Sequence, residues 1–274
     1  MPAIQPERLH QQAEKLAGQF GEPAGFTRSL HGLLEFYSDR ARRPGQAGKP
    51  GPLILRYNVH PAVLRQISLE LAPLAQQEPE KALALCDALW EQVYLEHRQL
   101  ASMLLGEIAA EGQEEVMRRV NAWLRTDLEE TLVVALLHNA LRRLCKEQPQ
   151  VVIQMIENWL ETEEAFQQHL GMVALLPMIQ DPDFENLPAF FRLIHPLVRQ
   201  APPALRPDVL DVLATLARRS PQETAYFLRQ TLALPNCPDT PWSIRQVLSA
   251  FPAEQQKRLR QALRSAESSP GNSK

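Results

Sequence analysis

At 274 residues, with 45% hydrophobic and 22% charged residues, the chain has the composition of an ordinary folded protein and is long enough for one large domain or an extended array. A net charge of −3 excludes a global basic field pulling it onto nucleic acid or an anionic membrane, while leaving room for a local arginine stripe. The cysteines, Cys86, Cys145 and Cys237, are odd in number and lack Cys-x-x-Cys spacing, which argues against a disulfide framework or a zinc site.

The opening segment MPAIQPERLHQQAEKL has no long apolar core, so no signal peptide is expected. No apolar run reaches membrane-spanning length. A cytoplasmic monomer without membrane partner, metal or cofactor is expected. QPERLHQQAEKLAGQF and FTRSLHGLLEFYSDR read as two helices within residues 1–39. Residues 40–52, RARRPGQAGKPGP, carry four basic residues, three prolines and three glycines, which predicts a mobile basic loop exposed to trypsin.

A repeat array is expected over residues 53–264. LAPLAQQEPEKALALC from Leu71, LRRLCKEQPQVVIQMI from Leu141 and LATLARRSPQETAYFL from Leu213 share one pattern. Each reads Leu-x-x-Leu, a small residue, polar residues, a proline, then helix formers. Weaker copies begin at Leu105 and Leu176. The anchors Pro79, Gln113, Pro149, Phe184 and Pro221 are then 34 to 37 residues apart, room for two helices and two short turns. Within one unit, Leu141, Leu144 and Cys145 line one helix face. Pro149 suits the first turn of the next helix, whose apolar face is Val152, Ile153, Ile156 and Trp159 or Leu160. Such pairs bury their stripes only by stacking. The expected fold is therefore all-α, a HEAT-like (armadillo-type) α-solenoid of stacked helix pairs. Tetratricopeptide repeats have a similar period, but their signature residues are missing. The tail, residues 265–274, is expected to be disordered.

The seven histidines form no ligand constellation, and no glycine-rich phosphate loop or G-x-S-x-G elbow is present. Arginines stand out instead. Arg142-Arg143 and Arg218-Arg219 are pairs in the repeat columns, while Arg98 and Arg206 each precede the leucine column by seven residues. Such a column could track a phosphate backbone or snorkel over apolar neighbours. Trp90, Trp123 and Trp159 follow the repeat at 33 and 36 residues. They fit inter-helix packing or, more sharply, a stacking platform for bases.

CDALWEQVYLEHRQLASMLLGEIA, KEQPQVVIQMIENWLETEEAFQQHLGMVALL and RSPQETAYFLRQTL resemble segments of the HEAT-like DNA alkylation repair proteins, the AlkD-like group. The resemblance runs from about Leu71 to Leu263. It implies an array whose active members excise cationic alkylated purines from DNA on a concave basic face. Their catalytic aspartate lies near cleft tryptophans and faces an arginine of the next repeat. The aspartate position falls here on Val133 or Val134, and the arginine position on His169. Valine cannot stabilise the positive charge that develops on the sugar. Asp127, Glu129 and Glu130 lie nearby at a helix start, where the dipole already explains acids.

Three readings follow. The first is a non-catalytic repeat protein of this superfamily, binding nucleic acid or a protein partner. The second is a divergent alkylpurine DNA glycosylase using Glu130. The third is a protein scaffold without DNA contact. Arg98, Arg142, Arg143, His169, Arg206, Arg218 and Arg219 are the nucleic-acid candidates.

Overall fold

A computed structural model describes residues 4–39, 54–109 and 112–268. Among them the protein is all-α, with fifteen α-helices and no strand beyond one isolated bridge, Leu55 to Tyr94. The chain divides into two compact units, Met1–Val152 and Ile153–Lys274. No helix among the described residues is long and apolar enough to cross a membrane. The basic segment of residues 40–52 lies outside the described residues.

In the first unit, α1 (Pro6–Ala17) and α2 (Pro23–Tyr37) are followed by α3 (Pro61–Gln77), α4 (Pro79–Trp90), α5 (Leu95–Leu105), α6 (Gln113–Trp123), α7 (Glu130–Ala140) and α8 (Arg142–Glu147). Proline begins α1 to α4, where the absent amide costs no helical bond and φ is preset. The leucine column faces inward: Leu71, Leu105, Leu141 and Leu144 are at most 1% exposed. At Leu141 the chain breaks between α7 and α8.

Helices α1 and α2 pack on α3 and α4. The join is polar as well as apolar. The buried Glu96 carboxylate accepts the backbone amides of Tyr57 at 3.1 Å and Asn58 at 2.7 Å. This pins the extended segment before α3, where Asn58 takes φ 56°, a left-handed conformation that asparagine tolerates. The Tyr57 ring stacks on Tyr94 at 4.2 Å, and the His31 Nδ1 meets the Tyr57 hydroxyl. Burial, chiefly, pushes the Tyr57 phenol well above its usual pKa.

In the second unit, the end of α9 (Pro149–Leu160) leads into α10 (Ala165–Gln180), α11 (Leu187–Arg199), α12 (Arg206–Arg219), α13 (Pro221–Leu232), α14 (Thr240–Val247) and α15 (Ala253–Ser268). α10 packs on α12, α12 on α14, α11 on α13 and α13 on α15, so alternate helices form two layers. Pro79, Gln113, Pro149 and Pro221 are all first residues of helices. Phe184 is not: α11 begins at Leu187, with Pro188 in its first turn. α15 continues to Ser268, past the boundary at 264 drawn from sequence. Ser265 and Ala266 extend the helix at little propensity cost.

Arginines tie helix ends one repeat apart. Arg143 Nη1 donates to the Glu107 carbonyl at 2.9 Å, 36 residues away. Arg199 Nη2 reaches the Pro235 carbonyl at 3.0 Å, also 36 away, and Arg219 Nη2 the Pro182 carbonyl at 2.7 Å, 37 away. The acceptors lie just past the C-termini of α5, α13 and α10, where carbonyls lack helical partners and the dipole favours a cation.

Candidate nucleic-acid interface

In the first unit, α4 and α6 end in Trp90 and Trp123. Their rings stack at 4.3 Å and 5°, so each indole covers a face of the other. One turn earlier on the same helices, Arg119 grips Asp87 at two points, Nε to Oδ1 at 2.8 Å and Nη2 to Oδ2 at 2.7 Å. Arg119 Nη1 also donates to Glu115 Oε2 at 2.7 Å. The Arg119 side chain is 10% exposed and Asp87 44%. Hydrogen bonding to Asp87, above all, makes the guanidinium harder to deprotonate. Glu115 is held below the usual carboxylate range by hydrogen bonds from Arg118 and Arg119.

The sequence reading missed this fork. Its signal is the spacing: Asp87 and Arg119 are 32 residues apart, close to the tryptophan spacing. Replacing Arg119 by Met should lower the first unit's stability by about 2 kcal/mol, less than for a fully buried pair because Asp87 can rehydrate. Asp87→Asn should cost about half as much, since Glu115 still holds the guanidinium. Chemical denaturation of both variants checks this, and equal losses would exclude a role for Glu115.

Arg98, in the first turn of α5, donates from Nε to the carbonyls of Trp90 at 3.0 Å and Gln92 at 2.9 Å. Its guanidinium carbon lies 5.6 Å from the centre of the Trp90 ring, within cation–π range. Burial pushes its pKa below the usual arginine value. Arg142 pairs with the Glu107 carboxylate, while Arg143 adds Glu147 to the Glu107 carbonyl.

Glu130 is the exposed first residue of α7. Val133 is 1% exposed and packs in the core, and Val134 is half-buried. Asp127 is hydrogen-bonded by Arg125 at 3.0 and 3.2 Å on the surface.

In the second unit, Trp159 is half-buried near the end of α9. His169 on α10 meets Asp208 on α12, Nδ1 to Oδ2, at 2.9 Å, with side chains 20% and 17% exposed. Arg206 donates to Asp239 at 3.0 Å and lies 5.2 Å from the centre of the Trp242 ring. Sequence spacing gave no hint of that trio. Adjacent arginines at the end of α12 diverge: Arg219 turns to carbonyls past α10, whereas exposed Arg218 donates to the Thr215 hydroxyl at 3.2 Å. Thus the structure brings Trp90, Trp123 and Arg98 together in one unit, whereas in the other Arg218 and Arg219 go to separate partners. His169 and Arg206 are each engaged by a different aspartate.

No curated protein matches the chain. A family model described as DNA alkylation repair enzyme matches residues 56–251, which takes in α3 to α14 and every candidate residue above. The repeat, the helix pairing and this match over most of the sequence agree, and the chain belongs to the DNA alkylation repair family.

Proposed function

We propose that the protein is a non-excising member of this family that binds DNA through phosphate contacts. One observation carries the absence of excision. The family resemblance puts a carboxylate at Val133 or Val134, both apolar; Val134 is half-buried, and Val133 is a core residue at 1% exposure. An aspartate there would be desolvated without a partner. His169, where the resemblance puts the facing arginine, is already engaged by Asp208. Among the candidate arginines, Arg218 is best placed for phosphate: it is exposed, and among the described residues its guanidinium meets the neutral hydroxyl of Thr215 and no carboxylate. Arg143 and Arg219 spend donors on backbone carbonyls, which supports a structural duty for them.

The test pairs two measurements on purified protein. Methylated duplex DNA should release no base. A binding titration should show affinity falling with salt, and Arg218→Ala should flatten the log–log slope by about 0.9, whatever the DNA sequence. Arg219→Ala should instead lower thermal stability. Base release that Glu130→Gln abolishes would make the protein a glycosylase. A slope unmoved by Arg218→Ala would remove that contact.

A further inference from the structure

α11 and α13 are corresponding helices of consecutive repeats, and their outer rows are aromatic. Phe191 and Phe227 lie 5.0 Å apart between ring centres at 31°, with His195 edge-on to Phe227 at 6.0 Å. Tyr226, next along α13, is 59% exposed. Together with Pro188 the rings of Phe191, Tyr226 and Phe227 line an open groove of about 560 Å³, edged by Gln222, Glu223 and Gln230. That volume lies within the range of binding sites, and exposed aromatic walls with few polar groups are the usual lining of one.

The polar inventory selects the occupant. A docked helix satisfies its own backbone and asks the groove for apolar surface alone. Here the amides of Gln222 and Gln230 and the hydroxyl of Tyr226 have no hydrogen-bond partner among the described residues. They recur every four residues, one row along α13. The row is about 12 Å long at 1.5 Å per residue. Such a line of donors suits a backbone whose carbonyls are unspent. Polyproline II is that backbone: it has no internal hydrogen bonds, and about four of its residues span the row. Its pyrrolidine rings pack on aromatic faces. Among the described residues Glu223 is the only charged one lining the groove, and its carboxylate accepts from the Ser220 hydroxyl at 2.7 Å. It sits beside Gln222, so one end of the groove is acidic. The same carboxylate repels phosphate, which separates this surface from the DNA-binding reading.

We infer that the α11–α13 groove binds an extended proline-rich peptide carrying a basic residue at the end that meets Glu223. The reading stands or falls independently of DNA binding.

Calorimetric titration of the full chain tests it with three synthetic peptides. One is a run of Pro-Pro-Ala triplets flanked by arginine, the second has glutamate in place of arginine, and the third is an amphipathic alanine–leucine helix. The arginine peptide should bind tightest. Tyr226→Ala should weaken it about tenfold or more, as for an aromatic anchor, with an unchanged melting temperature because the ring is mostly exposed. Glu223→Gln should erase the preference for arginine over glutamate. Failure of the wild-type protein to bind either proline peptide would overturn the proposal. So would binding that Tyr226→Ala leaves unaltered, or tighter binding of the helical peptide.

Discussion

Gly106→Ala is expected to lower the stability of the first unit by about 3 kcal/mol, the upper end of the usual cost of overpacking. Gly106 follows α5 where that helix packs on α7. A methyl carbon there would stand 2.0 Å from the Asn139 carbonyl oxygen and 3.0 Å from its carbon. Both are backbone atoms, so no rotamer change relieves the clash, and one helix must move by more than an ångström. The movement would strain the hydrogen bond from the Asn139 amide to the Ser102 hydroxyl, 3.1 Å long, and open the contact lined by Leu104, Leu105, Leu136 and Ala140, all buried. Backbone strain plays no part, because φ at Gly106 is −71°. Gly32→Ala is the control: nothing lies within 4 Å of its methyl position in α2. It should be neutral or stabilising by up to about 1 kcal/mol. Urea denaturation separates the two, and a wild-type midpoint for Gly106→Ala would show that α5 and α7 part without cost.

Acid should weaken the attachment of α1 and α2. His97 is 1% exposed. Burial pushes its pKa down to about 4, the charge of His31 contributes in the same direction, and a bond to the Thr27 backbone opposes them. The groups around it are His31 and Thr27 of α2, Tyr57 of the extended segment and Tyr94 before α5, with Glu35 beyond His31 and Glu96 holding the Tyr57 amide. The Nδ1 atom of His97 has no hydrogen-bond partner among the described residues. A folded pKa below the unfolded value of about 6.5 means that the unfolded chain takes up the proton first. The stability associated with neutral His97 is therefore complete above about pH 6.5, declines as pH falls, and is lost below about pH 4. The full loss is about 3 kcal/mol. Denaturation midpoints of the wild type and His97→Leu should converge as pH is lowered through this window. Parallel decline of both would assign the acid sensitivity to the carboxylates instead.

The fold was readable because two signals coincide. Pro79, Pro149 and Pro221 mark first helical turns, and the leucines before them share a face that stacking must bury. Phe184 misled because the weaker copy has no proline in that column, while Pro188 four residues later carries the real start of α11. The site was less readable. Repeat spacing identified Trp90 and Trp123 as one column, and their rings do meet. It could not say which way an arginine turns. Arg142-Arg143 and Arg218-Arg219 look alike as dipeptides, yet their four side chains meet a carboxylate, a backbone carbonyl, a hydroxyl and another carbonyl. Arg218 turns to its own helix, whereas for Arg142, Arg143 and Arg219 the choice depends on what lies one repeat away. So does the Asp87–Arg119 fork, hidden because Arg119 draws the eye to its neighbour Arg118.

The arginine ties also bear on how such a chain can change length over generations. Each guanidinium is set to meet a helix end 36 or 37 residues away. Gain or loss of a whole period returns every arginine to a helix end with carbonyls to spare. Gain or loss of a single helix brings it against the flank of a helix, where the carbonyls are already bonded. Duplication and deletion are thereby confined to steps of about one repeat, and an insertion of any other size has to enter at a turn that no arginine bridges.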